Sequence, residues 1–148
     1  MLLGIIFVVT GAMTPAQIYH HARIPVLIPS VMPAWGVSRV YESVDLAKRG
    51  KYRISFGLAP NCNGATACDG GSVTGGILDD MADLLRDPGR QSVRLRDGSP
   101  ATFVEARCGA SCGESELGFW RNHVWYMLYL HAAGKADMLR TANSMLPQ

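Results

Sequence analysis

Hydrophobic residues along this chain switch between the period of two that is typical of strands and the longer period of helices. Apolar and polar positions alternate over residues 37–44 and 52–58, and Arg49-Gly50 separates the two segments. Such alternation places one face of a strand against a core and the other against solvent. The two segments are therefore predicted to be neighbouring antiparallel strands joined by a turn.

Two further hairpins are predicted in the second half of the chain. Asp97-Gly98 separates the alternating segments 92–95 and 102–106. Asp-Gly between two apolar runs is a strong hairpin signal, because both residues tolerate the backbone of a tight turn. The last hairpin is predicted over 117–130, with its turn at Asn122-His123.

Two segments carry apolar residues at helical spacing. The first stripe is Ile77, Leu78, Met81, Leu84 and Leu85, and the second is Met138, Leu139, Ala142, Met145 and Leu146. Each stripe predicts a short amphipathic helix with its apolar side against the sheet. The fold class is therefore predicted to be α+β: an antiparallel β-sheet of hairpins, with a short mid-chain helix and a C-terminal amphipathic helix packed on one face.

The N-terminal segment, residues 1–16, has the pattern of a signal peptide. An apolar run at 2–9 is followed by small and polar residues at 10–12, which resemble a cleavage zone. The run is too short to cross a bilayer, which takes about 20 apolar residues, so no transmembrane span is expected. A buried first strand of a cytosolic domain is the alternative interpretation.

Residues 17–36 are predicted to be a proline-rich extended arm. Three X-Pro pairs over 23–33 push the backbone away from helical conformation and remove hydrogen-bond donors. The arm precedes a single α+β domain over 37–148. Within that domain the glycine-rich segment 59–76 is predicted to be a loop.

Composition supports a folded domain without nucleic-acid affinity. Hydrophobic residues make up 48% of the chain and charged residues 18%, with a formal net charge of +2. These values exclude the low hydrophobicity and high charge of disordered chains. Nucleic-acid binders carry a larger basic excess clustered on one face, so no nucleic-acid partner is expected.

The four cysteines form two close pairs, Cys62 with Cys68 and Cys108 with Cys112. Two local disulfides are predicted, although four cysteines allow three connectivities. A four-cysteine zinc site is the alternative, but five residues separate Cys62 from Cys68, more than structural zinc favours. Disulfides persist in oxidising compartments, so a periplasmic or secreted location is expected, with no metal and no cofactor.

One short motif raises the question of catalysis. Residues 109–113 match G-x-S-x-G, which in hydrolases holds a nucleophilic serine between a strand and a helix. Here strand-like residues follow the motif, and spacing selects none of the nearby histidines or glutamates as a base. No catalytic residue is assigned. An extracytoplasmic serine hydrolase using Ser111 is kept as the alternative function.

Four aromatic residues crowd the last hairpin: Trp120, Trp125, Tyr126 and Tyr129. Such residues fill cores, but tryptophan and tyrosine are also the side chains that dominate binding energy at interfaces. These four are therefore the predicted partner-binding residues. The partner is expected to be a protein or another component of the cell envelope.

The cysteine loop at 62–68, the Asp97-Gly98 turn, the corner at 108–112 and the aromatic stretch 120–126 together resemble a group of uncharacterised bacterial exported proteins and predicted lipoproteins. The resemblance covers roughly residues 25–146. It implies an extracytoplasmic location and no known catalytic residues. No cysteine near residues 10–12 matches the lipid-attachment site of lipoproteins. The expected function is an exported, disulfide-stabilised domain that acts as a non-catalytic binding or envelope-associated structural module.

Overall fold

Strands dominate the computed structural model, which describes residues 13–62 and 65–148 in full and residues 6–9 by their backbone. The elements in chain order are β1 (Ile6–Val9), α1 (Pro15–Ala22), β2 (Arg39–Lys48), β3 (Lys51–Gly57), a 3₁₀ turn (Thr66–Cys68), β4 (Asp69–Gly75), α2 (Leu78–Arg86), β5 (Gln91–Arg94), β6 (Pro100–Val104), β7 (Glu114–Arg121), β8 (Val124–His131) and α3 (Lys135–Ser144). The three predicted hairpins and both predicted helices are present.

The eight described strands form one sheet in the order β1-β2-β3-β4-β8-β7-β6-β5. β1 runs parallel to β2, and every other neighbouring pair in this order is antiparallel. The α+β prediction is therefore confirmed. Residues 6–9 form an edge strand that pairs with β2; the rest of the 1–12 segment lies outside the described residues.

The sheet has two unequal faces, because successive side chains on a strand point in opposite directions. The inner face carries the main core, including Tyr52, Phe56, Tyr126 and Leu128, and is covered by α1, by the arm and by α3. The outer face carries a second, smaller cluster of Met81, Leu84, Val104 and Met127 beneath α2. The C-terminal helix thus packs on one face as predicted, whereas the mid-chain helix packs on the other.

The predicted loop at 59–76 is wrong over its second half, where β4 pairs with β3 and β8 inside the sheet. Its glycines are sites of close approach. A Cβ on Gly75 would lie 2.4 Å from the Tyr52 ring, and a Cβ on Gly71 would lie 1.9 Å from the Tyr129 carbonyl oxygen. The strand therefore depends on residues that normally weaken strands.

The predicted extended arm is wrong at its start, because its first residues belong to helix α1. Thr14 and Gln17 form a reciprocal capping box, and Pro15 occupies the first helical position. These are signals that begin a helix. Ile18 is buried against the sheet. The helix ends at Arg23, whose φ of 59° turns the chain into the extended segment.

The extended segment after Arg23 is held across the inner face by hydrogen bonds to side-chain hydroxyl groups. The Tyr52 hydroxyl donates to the Leu27 carbonyl and accepts from the Leu27 N–H, each at 2.9 Å. The Tyr126 hydroxyl donates to the Pro25 carbonyl at 2.8 Å. On α3, the Ser144 hydroxyl oxygen accepts from two further backbone amides of the segment. The arm is therefore an integral layer of the core.

Replacing Tyr52 with phenylalanine tests the two hydrogen bonds between its hydroxyl and Leu27. The change keeps the buried ring but leaves both backbone groups of Leu27 without their partner, which costs about 1–3 kcal/mol of unfolding free energy. Urea unfolding monitored by circular dichroism measures the loss. Tyr19→Phe is the control, since Tyr19 is 51% exposed. Equal stability of the two variants would contradict the role of the Tyr52 hydroxyl.

Truncation of helix α3 tests the inner core. Met138 is fully buried and Leu139 only partly, so Met138→Ala is expected to cost about 2–5 kcal/mol and Leu139→Ala less. The same urea titrations compare the two variants. A larger loss of unfolding free energy in Leu139→Ala than in Met138→Ala would mean that α3 is rotated about its axis and buries a different side.

Candidate functional site

A pair of tryptophans marks the outer face of the last hairpin. Trp120 on β7 lies directly across from Trp125 on β8, with ring centroids 4.5 Å apart at 63°. Trp120 is 45% exposed and Trp125 is half-buried. An edge-to-face pair of this kind is worth about 0.5–1.5 kcal/mol beyond the area it buries. The pairing therefore holds an exposed indole in a defined orientation.

The turn that carries this pair is tight. Asn122 and His123 have φ angles of 50° and 63°, the left-handed backbone that a two-residue hairpin loop requires. The His123 ring meets Trp120 edge-on, with centroids 6.4 Å apart. The hairpin end is therefore a short loop in which Trp120 contacts the rings of both His123 and Trp125.

Helix α2 begins beside the same hairpin, because the Gly76 N–H donates to the Trp125 carbonyl at 2.8 Å. Leu78 and Leu85 of this helix are 64% and 44% exposed. Residues seven positions apart lie on one side of a helix, so the two leucines form an exposed apolar edge. The predicted buried stripe is thus wrong for these two residues and right for Met81 and Leu84.

The way that α2 packs on the sheet explains why Leu78 and Leu85 stay exposed. Met81 and Leu84 rest on Gly118 of β7, where an added Cβ would come within 2.7 Å of Met81 Sδ and Leu84 Cδ2. This close approach over a glycine makes the contact narrow. Only the middle of the apolar stripe therefore enters the core, and its outer members remain in solvent.

The two predicted tyrosines have different environments. Tyr126 is fully buried on the inner face, stacked on Phe119 with centroids 5.5 Å apart, and burial raises its pKa to about 12. Tyr129 is half-buried on the outer face, where burial and the Asp80 carboxylate raise its pKa well above the usual range. Tyr126 is a core residue, so three of the four predicted aromatics remain on the outer face.

Carboxyl groups surround Tyr129 on the outer face. Glu116 is its direct cross-strand neighbour, and burial followed by the charge of Asp87 raises the Glu116 pKa. Burial also raises the pKa of Glu114. Asp80 is balanced by Arg53 in an ion pair of 3.2 Å. The surface beside α2 therefore combines apolar side chains with an acidic border.

The serine motif lies at a disulfide corner. A disulfide joins Cys108 to Cys112, and the Gly109 N–H donates to the Ser111 carbonyl at 2.9 Å within the ring. The segment connects β6 to β7, so a strand follows it and the strand-to-helix elbow of hydrolases is not formed. In the described part of the chain, no hydrogen bond joins the Ser111 hydroxyl to a histidine. The geometry at this corner therefore does not activate the Ser111 hydroxyl as a nucleophile.

A second disulfide joins Cys62 to Cys68, with Cα atoms 5.6 Å apart. The cysteines therefore pair locally, as the sequence favours, and no thiolate is left to bind zinc. Among the residues that the structure describes, no cluster of three or more histidine, cysteine or carboxylate side chains is arranged to hold a metal ion. The chain is a disulfide-stabilised domain.

The described helices are too short, or too polar, for any of them to cross a membrane. Comparisons of the chain with protein families, with curated proteins and with solved structures find no match.

The disulfides can be tested by mass spectrometry. Alkylation is expected to modify all four cysteines only after reduction, and peptide mapping is expected to recover the 62–68 and 108–112 pairs. Each disulfide closes a short loop, so each contributes only about 2 kcal/mol to the free energy of unfolding in the chain-entropy treatment. Thiols that react without reductant, or stoichiometric zinc in the purified protein, would contradict the assignment.

Proposed function

We propose that this chain is an exported binding domain, without catalytic activity, that captures a protein or envelope partner through the outer face of its last hairpin. The observation that carries the proposal is Trp120, held 45% exposed by its packing against Trp125. A large aromatic ring that is already ordered loses little conformational entropy on binding. Such residues supply much of the energy of interfaces.

The surroundings of Trp120 support an interface at this place. Leu78 and Leu85 add exposed apolar area on the neighbouring helix, and the acidic border follows on the side of Tyr129. Interfaces typically combine an apolar centre, including one or two aromatic anchors, with a polar rim. This arrangement favours binding over a purely structural surface.

Export is supported by the disulfides, which persist in oxidising compartments. The signal-like pattern at 1–16 also favours export, and the resemblance to exported proteins agrees with it. The pairing of residues 6–9 with β2 instead favours retention of that segment in the folded domain. Amino-terminal sequencing of the protein recovered from a periplasmic or secreted fraction distinguishes cleavage from retention.

A hydrolase using Ser111 is the competing function, and the disulfide corner argues against it. The functional test therefore includes this serine as well as the aromatic surface. Ser111→Ala is expected to leave partner binding and stability unchanged. A measurable ester- or peptide-hydrolysing activity that disappears in Ser111→Ala, with the fold preserved, would reverse the assignment.

Trp120→Ala is expected to weaken partner binding by about 30-fold, which corresponds to the roughly 2 kcal/mol typical of an interface hot spot. The partner is first captured from envelope extract with the wild-type domain, identified and purified, and its Kd is then measured for each variant. Tyr19→Ala is the matched control, because Tyr19 is an exposed aromatic on α1. Equal affinity of the two variants, with both folded, would remove the hairpin from the interface.

A further inference from the structure

A second surface feature lies at the opposite end of β4 from the tryptophan pair. A half-open cleft of about 150 Å³ is formed where β2, β3 and the start of β4 meet, beside the Cys62–Cys68 disulfide. Its polar lining includes Tyr41, Ser43, Ser55 and Asp69. A volume of this size accommodates a group about as large as a benzene ring.

The hydroxyl groups of this lining are oriented by a β-bulge. The register of β2 against β3 shifts between Val44 and Leu46, so Asp45 has no cross-strand partner. Bulges re-aim side chains in this way. The Asp45 carboxylate accepts from the Ser43 hydroxyl at 3.4 Å and also from the Ser55 hydroxyl. Both serine protons are therefore directed toward the Asp45 carboxylate, which is not among the residues that line the cleft.

A hydroxyl that has donated its proton presents only lone pairs to other groups. Ser43 and Ser55 are thus hydrogen-bond acceptors toward the cleft. Asp69 adds a carboxylate, of which one oxygen is already held by the Gly71 N–H at 2.9 Å. Ser43, Ser55 and Asp69 therefore each present an acceptor to the cleft, whereas the Tyr41 hydroxyl can either donate or accept.

The charge of the cleft has one sign. The Asp69 carboxylate lines it, the Asp45 carboxylate accepts from both serine hydroxyls, and none of the described lining residues is a lysine, arginine or histidine. A cation would compensate this local negative charge, whereas an anion would be repelled.

We propose that this cleft binds a primary ammonium group. Three acceptors, the two serine oxygens and the Asp69 carboxylate, match the three N–H donors of a primary ammonium, which itself has no acceptor. Charge-assisted hydrogen bonds of this type are the stronger ones. The cleft volume leaves room for only a few carbons beyond the nitrogen. The ammonium belongs either to a small alkylamine or to the lysine side chain of a peptide.

The first experiment separates donor recognition from general attraction of cations. Butylammonium chloride is titrated into the full chain while backbone amide signals are followed by NMR, and tetramethylammonium chloride is the control because it has the charge but no N–H donor. Saturable shifts at Ser43, Ser55 and Asp69 with butylammonium alone are expected. Equal shifts with both salts, or shifts elsewhere, would overturn the proposal.

The second experiment uses variants. Ser55→Ala removes an acceptor and Asp69→Asn removes a charge while keeping an oxygen for the Gly71 amide, so each is expected to weaken butylammonium binding about tenfold. Asp79→Asn is the matched control, because Asp79 is exposed on α2, away from the cleft. Unfolding curves confirm that each variant is folded. Unchanged binding in both cleft variants would refute the assignment.

The source of the ammonium is resolved by a third titration, with a short peptide containing one lysine and its amino terminus acetylated. Tighter binding of this peptide than of butylammonium indicates a protein ligand, and weaker binding indicates a free amine; either result supports the ammonium site. Trp120→Ala is expected to bind butylammonium normally. Failure of the hairpin interface and failure of the cleft are therefore distinguishable.

Discussion

The buried Tyr52 side chain is the contact on which the arrangement of the other elements depends. Its hydroxyl satisfies both backbone groups of Leu27, so the arm has a partner although it joins no strand of the sheet. Its ring lies so close to β4 that only glycine fits at position 75. One residue of β3 thereby determines the path of the arm and the composition of the adjacent strand. Because an unpaired buried amide is costly, this contact strongly constrains the inner face.

The two faces of the sheet have different roles. The inner face is closed by α1, the arm and α3, and its side chains serve stability. On the outer face, α2 covers a narrow strip above the small cluster of Met81, Leu84, Val104 and Met127. The rest of this face does not contribute to that cluster. Both proposed binding sites lie on this outer face, the tryptophan pair at one end of β4 and the ammonium cleft at the other. Each uses backbone that the paired strands already hold rigid.

Local signals predict the hairpins and the cysteine pairs, because turn residues such as Asp97-Gly98 act within a few positions of the chain. Strand β4 was not predictable in this way. Its glycines read as a loop, and only the long-range approach of Tyr52 explains them. Trp120 could be named from sequence, but the burial of Tyr126 depends on which face of β8 meets the arm. The cleft depends on a bulge at Asp45 and on strand register, which a single sequence does not reveal.

The order of the strands has a consequence for how the chain reaches its folded state. β2, β3 and β4 follow one another in sequence and in space, and so do β5, β6, β7 and β8. The two meanders meet where β4 pairs with β8, and these two strands are distant in sequence. This pairing is called the seam below. Each meander can assemble from nearby residues, whereas the seam requires closure of a long loop, which is the slower step. The seam is therefore expected to form last and to limit the folding rate.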